Sequence, residues 1–204
     1  VMITGSHNTY EYNGLKFFDN KGRKISKKLE LSIENIVLNE KKYLDITNKN
    51  FNTGKAMRLE DAQGRYSESL KLSLRKNTNL KNIKIVLDCG NGATYSVAPI
   101  IFWELGCQVI VINDEPDGKN INKNCGAINV KTLSKKVLET KSDIGFAFDG
   151  DGDRIIVVDD KGNTIDGDKI LALFAKDLLN SKKLVKNTVV ATKMSNLGFE
   201  NYLN

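Results

Sequence analysis

The residues with the clearest chemical capacity are Asp149-Gly150-Asp151-Gly152-Asp153-Arg154. Three carboxylates at alternate positions repel one another unless a cation sits among them. The intervening glycines let the backbone curl so that the oxygens converge. Hard oxygen ligands suit Mg²⁺ or Ca²⁺ rather than a soft metal. The apolar run Ile144–Phe148 precedes the loop. The acids therefore fall at the carboxyl end of a strand, where α/β folds hold ligands. Arg154 beside them suits an anionic group nearby, because guanidinium matches phosphate geometry. An EF-hand calcium loop fits less well. It needs Gly at its sixth position and Glu at its twelfth, flanked by helices. Here those positions are Arg154 and Asp160, flanked by strand patterns. A solvated Asp-Gly turn is the plain alternative, and the apolar runs on both sides argue against it.

A second chemical segment is Thr4-Gly5-Ser6-His7-Asn8, followed by Asn13-Gly14-Leu15-Lys16-Phe17-Phe18. Ser6 stands on a polar loop beside a small residue, where a hydroxyl is accessible. His7 is the chain's single histidine. A Ser-His pair raises hydrolase chemistry, but adjacent side chains seldom face each other and G-x-S-x-G is absent. On spacing alone, a polar turn accounts for the segment equally well.

These two loops need elements to hold them. Val1–Ile3 reads as the end of a strand leading into the serine segment. Ser26 is placed to cap a helix with the apolar stripe Leu29, Ile33, Ile36 and Val37. Residues 41–54 are polar and Asn-rich, as in a loop or domain edge, and a helix is expected over 61–75. From Ile83 the pattern becomes β-α-β-α-β. Strands are expected over Ile83–Asp88, Gln108–Asn113 and Ile144–Phe148, with helices over 96–105 and, capped by Asn129, through Leu138. Apolar strands alternating with helices predict a parallel sheet with covering helices. Asp160-Lys161-Gly162-Asn163 signals a hairpin between Ile155–Val158 and Thr164–Ile165. Asp168 is expected to cap a helix through Leu179, Thr188–Thr192 to form a strand, and Leu197 to open a helix that the chain end interrupts.

Composition excludes several classes. With 40% hydrophobic and 27% charged residues, the chain of 204 residues has the profile of a soluble globular protein. No run approaches the ~18 apolar residues a membrane span needs, and no signal segment opens the chain. The start at Val1 is that expected of a truncated beginning. Three widely spaced cysteines without CxxC or CxxH pairing argue against a disulfide framework or zinc site and for reduced thiols in a cytoplasmic protein. The net charge of +6 comes from scattered lysines. It suits a phosphorylated substrate better than nucleic acid.

Ser6-His7-Asn8 with Asn13-Gly14-x-Lys16-Phe17-Phe18 resembles the phosphoserine loop of α-D-phosphohexomutases, and Asp149 to Arg154 resembles their metal loop. Further segments resemble the phosphoglucosamine mutase branch of that superfamily. They are Gly64-Arg65-Tyr66, Asp88-Cys89-Gly90-Asn91-Gly92-Ala93-Thr94-Tyr95, Asn120-Ile121-Asn122 with Gly126-Ala127, Asp166-Gly167-Asp168, and Met194-Ser195-Asn196-x-Gly198. The likeness covers essentially the whole chain.

The resemblance implies an α/β fold of repeated domains with mainly parallel mixed sheets. Residues 1–60 would be the C-terminal part of a first domain, 61–155 a second domain with the metal loop at its end, and 156–204 the start of a third. It implies a phosphoserine at Ser6 and one Mg²⁺ per active site, held by Asp149, Asp151, Asp153 and the phosphorylated Ser6. Arg154 would lie against the phosphate, and Lys16 and His7 match positions of proton transfer or phosphate contact. A lowered pKa would suit Lys16 to act as the base. The implied reaction interconverts glucosamine 6-phosphate and glucosamine 1-phosphate through a bisphosphate, towards UDP-N-acetylglucosamine. The implied partner is a phosphorylated hexosamine, with no nucleic acid or membrane, and a homodimer is compatible with the full-length enzyme. The alternatives are a phosphomannomutase or phosphoglucomutase, and a non-catalytic sugar-phosphate-binding paralogue. A metal-dependent phosphatase lacks its DxDx[TV] motif here. The piece alone is expected to be inactive. Two departures from the family pattern, Gly5 and Thr9, are expected to loosen the serine loop.

Overall fold

A computed structural model describes residues 1–48, 54–74 and 78–203. Two short strands, β1 (Met2–Ile3) and β2 (Leu15–Lys16), pair antiparallel with Met2 opposite Lys16. The serine loop is therefore the connection of a small ribbon, closed by the Thr4 amide donating to Gly14 O at 3.0 Å. Helix α1 (Lys27–Val37) begins where its sequence pattern predicts, with the Ser26 side chain accepting from the Leu29 amide. Helix α2 (Glu40–Thr47) occupies a stretch expected to be loop. Asn39 caps it by accepting from the Lys42 amide, and this local bond outweighs a weakly apolar sequence. Residues 49–53 of that stretch, and Arg75 at the end of the next expected helix, lie outside the described residues.

Helix α3 (Ala62–Leu72) precedes the main sheet. That sheet contains β3 (Lys84–Asp88), β4 (Gln108–Ile112), β5 (Ile144–Phe148), β6 (Ile155–Asp159) and β7 (Thr164–Ile165) in the order β4-β3-β5-β6-β7. Strand β3 is parallel to both β4 and β5, and β6 and β7 add antiparallel. The hairpin expected to open a third domain thus completes this sheet, because β6 pairs with β5 along its length.

Alternation along β3 sends residues to both faces. Ile85, Leu87 and Cys89 join Ala98 and Phe102 of α4 (Ala98–Glu104). Val86 joins Leu133 and Val137 of α5 (Lys131–Thr140). The Phe102 and Phe146 rings stack at 5.4 Å. At Gly145 a Cβ would lie 2.7 Å from Val137 and 2.8 Å from Leu133, so the glycine lets α5 lie close on β5. Truncating the fully buried Leu133 to Ala would cost about 2–5 kcal/mol.

Beyond the sheet lie α6 (Gly167–Asn180) and α7 (Leu197–Leu203). The N-cap of α6 is Asp166 rather than Asp168, which instead accepts from the Asn196 amide at 2.7 Å. In α5 the N-cap position is Val130, which makes no side-chain cap bond, and Asn129 Oδ1 accepts from the Lys131 amide at 3.4 Å. No strand forms over Thr188–Thr192. Thr188 is extended, but no partner strand pairs with the segment among the described residues. No described helix is long and apolar enough to cross a membrane.

Candidate active site

The chain leaves the carboxyl end of β5 through Asp149 and returns in β6, and the reversal in between carries the acids. Gly152 has φ +73, a conformation glycine adopts without strain, and its amide donates to Asp149 O at 3.0 Å. Asp149, Asp151 and Asp153 each present an oxygen within 4.8 Å of the others. Asp149 Oδ1 accepts from the Arg154 amide at 3.1 Å. Asp149 Oδ2 and Asp151 Oδ1 are buried without a hydrogen-bond partner. Burial pushes the Asp149 carboxyl above its ordinary value, and the charges of Asp151 and Asp153 push it further. Orphaned oxygens on converging, mutually repelling carboxylates fit a hard cation. Among the described residues, these three side chains form the acidic group that could hold a metal ion.

The serine loop is seated on this carboxylate loop. Ser6 takes φ +55, uncommon for a residue with a Cβ, and its amide donates to Thr4 Oγ1 at 2.9 Å. A Cβ at Gly5 would lie 2.2 Å from Tyr12 O. The glycine expected to loosen the loop therefore permits a tight approach within it. At Thr9 the carbonyl accepts from the Tyr12 amide at 3.0 Å, which closes the turn without proline.

Lys16, at the end of β2, reaches Asp151 with Nζ 2.7 Å from Oδ2. Burial raises the Asp151 carboxyl, but the hydrogen bond and charge of Lys16, with a contribution from the Ser6 side chain, hold it below its ordinary value. The same hydrogen bond raises the Lys16 amine, and the charges of all three aspartates add to it. The lowered pKa expected of Lys16 is thus reversed here, because its nearest neighbours are anions.

Arg154 Nε lies 3.8 Å from Asp149 Oδ2 and 3.9 Å from Asp153 Oδ1, with its side chain half exposed. His7 sits on the same loop as Ser6, and its Nδ1 is buried without a hydrogen-bond partner. Ser6, Lys16 and the three aspartates therefore meet, Arg154 borders them, and no hydrogen bond ties His7 Nδ1 to the group.

Of two residues that only the family likeness singled out, Asp88 ties together neighbouring turns and Asn122 holds the serine loop. Asp88, fully buried at the end of β3, accepts from the Gly90 amide (3.0 Å), Asn113 Nδ2 (3.0 Å) and the Gly126 amide (2.9 Å). Burial raises its carboxyl, partly offset by those bonds. Asn122, also buried, donates from Nδ2 to Ser6 O and Asn8 O. A lone carboxylate at a strand end and asparagines in a loop were the available signals, and neither specifies a partner so distant in sequence.

Comparison with known proteins bears on the family of the chain. Three successive domain models of phosphoglucomutase/phosphomannomutase match the chain: α/β/α domain I over residues 1–44, domain II over 64–162 and domain III over 166–204. The chain belongs to the phosphoglucomutase/phosphomannomutase family. Its curated relatives include a phosphoglucosamine mutase of Thermodesulfovibrio yellowstonii, 50% identical over 203 residues, spanning 100% of this chain and 45% of the relative. A phosphoglucosamine mutase of Nautilia profundicola is 50% identical over 208 residues, spanning 100% of this chain and 46% of the relative. Among solved structures, a phosphoglucomutase/phosphomannomutase family protein from Burkholderia thailandensis superposes with a TM-score of 0.70 at 30% identity. The match covers 88% of this chain and 37% of that one. The chain thus spans a little under half the length of these curated relatives.

Proposed function

We propose that this chain carries the phosphoryl-transfer half of a phosphoglucosamine mutase site. It would hold parts of three family domains, the second extending through β7. The reading rests on one observation: the Ser6 loop and Lys16 are docked on a loop of converging carboxylates with orphaned oxygens.

Asp149, Asp151 and Asp153 would hold one Mg²⁺, with phosphorylated Ser6 as a further ligand. Bound there, the ion would offset charge on the transferring phosphoryl group. The chain's own residues do the rest. Ser6 Oγ carries the phosphoryl group and presents it to a sugar hydroxyl. The P–Oγ bond breaks, a bond from phosphorus to the sugar oxygen forms, and the hydroxyl proton passes to a base. The resulting bisphosphate returns its other phosphoryl group to Ser6 in the mirror-image step. Arg154, beside the acids, is placed to contact phosphate oxygens. Lys16 is the candidate for moving the proton. It serves as a base only when its bond to Asp151 is released, because that bond keeps the amine protonated.

The substrate this reading favours is glucosamine 6-phosphate, converted to glucosamine 1-phosphate. The name shared by the half-identical relatives supports that choice over mannose or glucose phosphates. All three cysteines are free thiols, as suits a reducing, cytoplasmic setting. The test is made on the full-length protein with Mg²⁺ and a bisphosphate activator. Turnover should be highest on glucosamine 6-phosphate, and intact mass should show phosphate lost in Ser6→Ala. Phosphate retained after that substitution, or preference for mannose or glucose phosphates, would overturn the assignment.

A further inference from the structure

We propose that Asn122 is a positioning residue whose carboxamide latches the Ser6 loop to the carboxylate loop and so sets where the seryl oxygen stands. The proposal rests on the reading of Ser6 as the phosphoryl carrier. It concerns a residue that hydrogen-bonds the main chain on either side of His7.

Both hydrogens of the Asn122 amide nitrogen are used. Nδ2 donates to Ser6 O at 3.0 Å and to Asn8 O at 2.8 Å, reaching back 116 and 114 residues in the chain. The two carbonyls flank His7, so the loop is gripped on both sides of the residue that follows the serine. The orientation of the carboxamide is decided by donor count: turned over, it would set Oδ1 against two carbonyl oxygens. As it stands, Oδ1 is buried without a partner, and the side chain is held by its donors alone.

The anchor is firm as well. Asn122 is 1% exposed, and its own amide donates to Gly90 O at 2.8 Å. Its φ of +56 belongs to the left-handed region, which Asn enters more readily than most residues. The grip reaches the carboxylate loop through Gly150, which lies between two of the acids. A Cβ there would fall 2.6 Å from Asn122 Nδ2 and 2.6 Å from Ser6 O. The Gly150 and Ser6 backbones and the Asn122 carboxamide thus meet with no room for a side chain at Gly150. Gly150 O in turn accepts from the Ala93 amide at 2.8 Å, fixing the loop from the other side. A shift of Asn122 would change the separation of Ser6 from Asp149 and Asp151 without removing any reacting group.

Two variants separate this role from a structural one. Asn122→Gly keeps the left-handed backbone free and removes the latch. Asn122→Asp keeps shape but sets oxygen against the two carbonyls. In the 204-residue chain, amide hydrogen exchange over residues 5–13 should speed up about tenfold or more in either variant, while β3 to β5 stay as protected as before. In the full-length enzyme kcat should fall about 10- to 100-fold, the scale of a displacement near 1 Å. KM and the Mg²⁺ affinity of the unphosphorylated protein should stay within about twofold, since the three aspartates are untouched. Unchanged exchange over 5–13 would show that no latch exists. Faster exchange with normal kcat would show that it positions nothing. Faster exchange throughout the sheet, or parallel losses in Mg²⁺ affinity, would assign Asn122 to the core instead. If wild-type Ser6 never carries phosphate, the functional reading fails by itself, while the exchange experiment still decides whether the latch is real.

Discussion

Nζ of Lys16 lies 2.7 Å from Oδ2 of Asp151, a side chain 135 positions away in the sequence. The pair joins the serine ribbon to the carboxylate loop at the point where chemistry is proposed. Asp151 is almost wholly buried and Lys16 partly exposed, so the ammonium caps the acid from the solvent side.

Lys16→Met should therefore have opposite effects on chemistry and on metal binding. Loss of a proton-transfer group lowers the single-turnover rate of phosphoryl transfer in the full-length enzyme by about 10²- to 10⁴-fold. Loss of a competing cation leaves Asp151 freer to bind Mg²⁺, so affinity should hold or rise. Rapid-quench measurement of phosphate leaving Ser6 checks the first effect and calorimetric titration the second. Near-normal transfer would remove Lys16 from the proton path.

Asp151→Asn should act the other way. It removes charge from the triad and leaves Lys16 without its partner. Mg²⁺ affinity should fall by more than about tenfold, since even outer-shell changes at metal sites reach that size. Folding should survive, because Asp151 Oδ1 has no hydrogen bond to lose and like-charge repulsion is relieved. Calorimetry showing unchanged affinity would count against a metal site here.

Much of this arrangement was legible from the sequence because its signals are local. The apolar runs of β3, β4 and β5 stand out against their flanks, and Ser26 marks the start of α1. Alternate Asp and Gly after an apolar strand announce the carboxylate loop. What was not legible depends on partners far along the chain. Strand β6 turned out to belong with β5, a choice made by pairing and not by composition. Residues 188–192 look like a strand but find no neighbour among the described residues. The pKa of Lys16 depends on Asp151, and the role of Asn122 on carbonyls more than a hundred positions away. Helix α2 was a different case: the polar, Asn-rich composition of its stretch argued for a loop.

Gly126→Ala should test how tightly the supporting turns pack. Gly126 has φ +67, and a Cβ on it would lie 2.4 Å from Phe148 O and 3.2 Å from Gly90 Cα. Its amide is also one of the three donors to Asp88. Both the backbone conformation and the contact with rigid main chain oppose a methyl group, so a loss of about 1–3 kcal/mol is expected. The change should appear as a lower urea midpoint at unchanged slope. A midpoint equal to wild type would show that the turn can move away from β5.

The three cysteines should be silent in the folded protein and reactive once it unfolds. Cys89, Cys107 and Cys125 are all buried free thiols. Burial pushes Cys89 up from 9.0 to about 12, with the charges of Asp114 and Asp88 adding to it. Burial likewise pushes Cys125 up to about 11, and raises Cys107. At pH 8 the nucleophilic thiolate is therefore scarce in the native state, and access is closed as well. Iodoacetamide at that pH should label native protein slowly and all three thiols quickly in urea. The same shifts tie stability to alkaline pH. The folded chain keeps these protons to higher pH than the unfolded chain. Their contribution is accordingly full below the ordinary thiol value of 9.0 and is lost as pH rises through about 11 and 12. Urea midpoints should fall between pH 8 and pH 11, and replacing Cys89 and Cys125 by Ala should flatten that fall, although truncating buried side chains lowers the midpoint at every pH. Rapid labelling of native protein at pH 8, or an alkaline slope unchanged in the double variant, would show that these thiols are neither shielded nor linked to folding.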